Sequence, residues 1–295
     1  MSVDLGEKSL MKPRELAPPR AANLFHKASK LVQEIHGVKR FPVDVDSMAK
    51  GAAELFNWGD PITELAPINI AGFEGVLTSD DTGSKWMIGY NGSLSSQGRI
   101  RFTKAHELGH YMLHRDRQRE FLCSKEDMLN WEGARDLEAE ADKFASHLLM
   151  PIDDFRIQVS GDINFELFSH CADRYQVSMT AAVLKWLSFT NEKALLIVSK
   201  DGFMEWASSS KAAKESGAFF RTRGNVIEIP EGTLASSELN EERFGVSVDA
   251  RKWFQHADRN VALTELKIFS EQYDNTMTLL LLPKYLECWA PRDES

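Results

Sequence analysis

The run Phe102-Thr103-Lys104-Ala105-His106-Glu107-Leu108-Gly109-His110-Tyr111-Met112-Leu113-His114 constrains this chain more than any other stretch. Its apolar residues Phe102, Ala105, Leu108 and Met112 recur about a turn apart among good helix formers, so the spacing predicts a helix from Arg101. Residues four apart on a helix are about 40° apart around its axis, so His106 and His110 can aim two imidazoles at one ion. Neutral imidazole suits zinc, and Glu107 between the pair can reach a water on the metal and take its proton. The competing reading is two ordinary helix histidines. Strand-like segments ahead of the helix, the context a zincin site requires, weigh against it.

A catalytic zinc needs a third protein ligand and an open position. His114 is about 80° around the helix from His106 and could join only with distortion, so it is read as a supporting residue. A second helix is predicted from near Leu137, with Ala141, Phe144, Ala145, Leu148 and Leu149 on one face and Pro151 at its end. Asp136, Glu138, Glu140 and Asp142 cluster at its start, and one glutamate there would complete a set of two histidines and one glutamate. The helical wheel does not choose between Glu138 and Glu140.

The rest of the chain bounds these readings. A length of 295 residues implies more than one domain. The 43% hydrophobic and 27% charged composition is that of an ordinary globular protein. No apolar run approaches the roughly 20 residues of a membrane span, and the N-terminus lacks a signal-peptide centre, so a cytoplasmic protein is expected. Cys123, Cys171 and Cys288 are scattered and odd in number, which argues against a disulfide framework and against a thiolate zinc site. The net charge of −9 disfavours broad attachment to nucleic acid. Arg101, Lys104, Arg115, Arg117 and Arg119 form a local basic stretch that could hold an acidic substrate segment or simply be solvated.

Helices are predicted over Ala21 to Gly37 and within Phe41 to Phe56, and a hairpin from Phe73–Thr78 and Lys85–Tyr90 around SDDTGS. Two short helices flank Gln176-Val177-Ser178, at helix-turn-helix spacing. A second hairpin is expected around SKDG, with a late strand at Met277 to Leu282. Trp206, Trp253, Trp289, Phe219, Phe220 and Phe254 read as filling of a second core.

Taken together, the run Arg101 to His114, the pattern Glu140-Ala141-Asp142-Lys143-Phe144-Ala145 and the run Leu148-Leu149-Met150-Pro151 resemble the ImmA/IrrE metallo-endopeptidases. Phe41 to Val45 and Trp86 to Asn91 resemble that family's domain start and edge strand, and the likeness covers roughly residues 25 to 190. The resemblance implies an α+β fold: a flexible tail (1–20), a zincin-like peptidase domain of helices and a small antiparallel sheet (21–155), a helix-turn-helix-like unit (156–191) and a mixed α/β C-terminal domain (192–295). It implies one zinc ion on His106, His110 and Glu140, with Glu107 as base and His114 in support. It also implies cleavage of a specific intracellular regulatory protein, a repressor of the helix-turn-helix type. Direct DNA binding is not expected, because the second helix of the pair offers only Lys185 as a basic residue. The alternative is a zinc-containing regulator without activity that binds DNA or a protein.

Overall fold

The computed structural model describes residues 16–68, 72–94, 96–124 and 132–290. Two compact units emerge: Met1–Phe155 with Asp173–Ser178, and Arg156–Ala172 with Met179–Ser295. Among the described residues there are eight α-helices and two sheets, a mixed α+β architecture.

In the first unit, α1 (Pro18–His36) begins three residues inside the stretch expected to be a tail, because Pro18 and Pro19 suit a first helical turn, where no amide proton is needed. The remainder of that tail, residues 1–15, lies outside the described residues. The helix stops at Gly37, whose φ of 68° is the left-handed conformation glycine adopts freely. The start of α2 (Val45–Phe56) is capped by Asp44, which accepts a bond from the Ser47 amide.

A four-stranded sheet follows, built from β1 (Ile62–Ile68), β2 (Phe73–Ser79), β3 (Trp86–Asn91) and β4 (Glu120–Ser124) in the order β1-β3-β2-β4. The β2–β3 hairpin forms as its turn chemistry directs. Asp80 accepts from the Ser84 amide at 2.7 Å and from the Ser84 and Thr82 hydroxyls, and Gly83 takes a φ of 71°. The sheet is not wholly antiparallel, contrary to the sequence expectation, because β1 runs parallel to β3.

Helix α3 (Gln97–Leu113) carries the His106–His110 motif and α4 (Glu132–Leu149) the acidic cluster. They meet where Gly109 faces Ala141: a methyl group at 109 would sit 3.1 Å from the Ala141 Cα and from the Phe144 ring. This close approach brings the acids of α4 to the histidines. The basic stretch is not an open patch. Arg115 stacks 3.4 Å from the Trp58 ring centroid and pairs with Asp60, Lys104 pairs with Asp46, Arg101 donates to the Val43 carbonyl, and Arg119 to that of Asp81. These cations tie the unit together.

The second unit is organised around a five-stranded antiparallel sheet, order β6-β5-β9-β8-β7, formed by β5 (Lys193–Lys200), β6 (Phe203–Ser209), β7 (Glu241–Asp249), β8 (Ala262–Ser270) and β9 (Asn275–Leu282). Asp201 and Gly202, both at positive φ, make the turn between β5 and β6. Leu195, Ile197, Leu280 and Leu282 face a core with Trp253 and Phe254. Trp289, expected in that core, is 54% exposed and donates to the Glu215 carbonyl. The helices α6 (Phe165–Tyr175) and α7 (Met179–Leu187) flank the predicted break, with Gln176 at φ 50°. The second of them belongs with the C-terminal sheet, and Lys185, its basic residue, is only 2% exposed.

Candidate metal centre

His106 and His110 project from α3 with their Nε2 atoms 3.0 Å apart. Both rings are buried. The carboxylate that reaches them is that of Glu138, with Oε2 3.0 Å from His106 Nε2 and Oε1 3.2 Å from His110 Nε2. Glu140, the ligand implied by the family pattern, bonds instead to His114 Nε2 at 2.9 Å. The reason is helical phase. Residues 138, 142 and 145 share the face of α4 turned to α3, whereas residue 140 is about 200° around from 138. Asp142, one turn after Glu138, accepts from His106 Nδ1 at 2.9 Å.

The centre fits a divalent ion on three observations. Donor atoms of a tetrahedral zinc lie roughly 3.3 Å from one another, close to the observed spacings of 3.0 to 3.2 Å. The outer ring nitrogens are also arranged as metal ligation requires. With both Nε2 atoms given to a metal, His106 Nδ1–H donates to Asp142, His110 Nδ1–H donates 3.0 Å to His114 Nδ1, and His114 Nε2–H donates to Glu140. Every proton in that chain has one acceptor. Finally, Cys123, which sequence reasoning set aside, joins the cluster: its Sγ and one ligand atom each of His106, His110 and Glu138 all lie within 4.8 Å of one another.

Burial acts to lower the His106 pKa, but bonds from Asp142 and Glu138 outweigh it and raise it to about 10. His110, buried and beside a charged His106, is lowered to about 4 despite its bond to Glu138. Glu138, although partly buried, is held below the usual carboxylate range by the two histidines. Burial, with Glu107 and Glu138 nearby, pushes the Cys123 thiol up.

Glu107 is 0% exposed, and neither carboxylate oxygen has a hydrogen-bond partner among the described residues. Burial pushes its pKa up to about 7, against the opposing pull of His106 and Cys123. Gly75 on β2 makes the room, since a methyl group there would collide with Glu107 Oε1 and Thr103. A buried, unpartnered carboxylate costs stability and points to a function.

Residues 65–187 match Peptidase_M78, the IrrE N-terminal-like domain. Over this stretch the chain is similar to that peptidase family. The match takes in α3 and α4, and so every residue of the cluster. A Mycobacterium tuberculosis transcriptional regulator of known structure is similar at 12% identity over 90% of this chain and 81% of that one, with a TM-score of 0.44. No curated protein matches the chain. Among the described residues, no helix is long and apolar enough to cross a membrane.

The matched stretch therefore carries a cluster of two histidines, a glutamate and a cysteine that could hold a metal ion. Sequence reasoning missed Cys123 because metal-site patterns count close cysteine pairs, and this thiol reaches the histidines only through the pairing of β4 with β2.

Proposed function

We propose that the chain is a zinc-dependent endopeptidase in which His106, His110 and Glu138 hold the metal and Glu107 is the general base. The observation that carries this reading is Glu107: a fully buried carboxylate with no hydrogen-bond partner among the described residues, beside a two-histidine cluster. Bound zinc would supply Lewis acidity, acidifying water and polarising the scissile carbonyl. Glu107 would take a proton from the attacking water and return one to the leaving amine. Asp142 holds the His106 ring through Nδ1, and the His114–Glu140 pair does the same for His110.

The substrate proposed is a specific intracellular regulatory protein of the helix-turn-helix repressor type, a reading supported by the family resemblance. The burial of Lys185 supports a packing role for α7 over DNA contact. A second reading, a metal-holding regulator without hydrolytic activity, draws on Cys123, because structural zinc has four closed ligands.

Co-expression with candidate helix-turn-helix repressors separates the two. The endopeptidase reading requires repressor fragments with the wild type and none with Glu107→Gln at unchanged metal content. Equal cleavage by both chains refutes the role of Glu107, and an uncut repressor with either chain favours the regulator.

A further inference from the structure

Cys123 is the member of the cluster that the endopeptidase reading leaves unused. It lies on β4 opposite Gly75 of β2, and cross-strand partners present their side chains to the same face. Gly75 is the residue whose missing side chain admits Glu107. One strand pair therefore both leaves room for the base of α3 and brings the thiol to that helix. The thiol, the two imidazoles and the Glu138 carboxylate lie within 4.8 Å of one another. In a tetrahedral zinc site, a thiolate sits roughly 3.6 Å from its nitrogen and oxygen neighbours, so a shift of about 1 Å closes the set. A second observation marks the same spot as a binding place: the Glu107 carboxylate, fully buried and without a hydrogen-bond partner by geometry among the described residues, lies beside this thiol and the His106 ring. Cys171 and Cys288 are buried and belong to no such cluster among the described residues.

We propose that Cys123 is the fourth protein ligand of the metal, so that the loaded chain rests mostly closed at a low basal turnover and becomes fully hydrolytic when the sulfur leaves. The proposal rests on the metal centre read above. Ligation exchanges the thiol proton for the metal and releases that proton to solvent; opening requires a proton, or an electrophile that captures the sulfur, to take the metal's place on it. Such an arrangement suits a regulatory protease, since it holds a loaded centre at low turnover.

The test uses the full chain loaded with Co2+ alone. The wild type should show visible cobalt bands together with an intense near-ultraviolet thiolate-to-cobalt band. Cys123→Ser should keep the visible bands, lose the ultraviolet band and bind Co2+ about tenfold more weakly. Cys171→Ser should change neither band. Zinc-loaded Cys123→Ser should also cleave the repressor at least about tenfold faster than the wild type. Cobalt bound without the ultraviolet band, or a band that survives in Cys123→Ser, overturns the ligand assignment while leaving the centre standing. A band with no gain in turnover overturns the latency. No cobalt binding by the wild type overturns the metal centre and this proposal with it.

Discussion

Each unit buries a glutamate completely, and the two are used in opposite ways. Glu265, on β8 of the second unit, is 0% exposed and accepts three bonds, from the Leu234 and Ala235 amides and from Trp253 Nε1. Glu107, on α3 of the first, is equally buried and accepts none among the described residues. A buried carboxylate with its donors supplied is a fastening: it anchors the 234–235 loop and the Trp253 ring to the sheet. One left without donors is a standing cost that evolution keeps only where chemistry needs the lone pairs.

The largest test of that contrast exchanges each carboxylate for its amide. Glu107→Gln should lower repressor cleavage by about 10³- to 10⁴-fold with the thermal unfolding of the metal-free chain unchanged or raised. Glu265→Gln should leave metal binding intact and cost about 2 kcal/mol of stability, measured by denaturant unfolding, because an amide proton then faces an amide donor. If both variants lose only stability, Glu107 is another structural group.

A comparably large effect separates the two acids of α4. Glu138→Ala should weaken zinc binding on the order of 10³-fold, whereas Glu140→Ala, which removes only the outer partner of His114, should weaken it about tenfold. Competition with a chelator reads both. The reverse order would restore Glu140 as the ligand.

Lys185 sharpens the comparison from the other side. Its amine is buried with no partner among the described residues, as Glu107 is, yet no metal-ligating cluster includes it. Burial lowers its pKa from 10.5 to about 7. Because the folded value lies below the unfolded one, the unfolded chain binds the proton first. The penalty is full below about pH 7, shrinks as pH rises toward 10.5 and vanishes above. Lys185→Met should therefore stabilise the protein by about 3 kcal/mol at pH 7, a gain that fades by pH 10.5 in unfolding titrations, with repressor cleavage unaffected. A loss of cleavage would give this lysine a function too.

The smallest effect concerns the space behind the base. Gly75→Ala pushes on Glu107 and Thr103 and should reduce cleavage about tenfold while metal content stays constant.

Local pattern made much of this protein legible. The helical period around His106, the glycine end of α1, and the turn residues of both hairpins each act within a few residues of themselves, so their structures follow from spacing and side-chain type. The two histidines and Glu107 belong to this class, since four residues of helix fix their geometry. Pairing between distant segments was not legible: the parallel partnership of β1 with β3, or the seating of Arg115 between Asp60 and Trp58. The carboxylate beside the histidines was undecided for the same reason. Glu138 and Glu140 differ only in helical phase, and phase acquires meaning when Gly109 and Ala141 set how α4 lies against α3. The motif by itself thus determined that a metal could be bound and by which two histidines. Only the tertiary structure brought Glu138 and the Cys123 thiol to them, because those contacts depend on helix packing and strand register, which no single segment encodes.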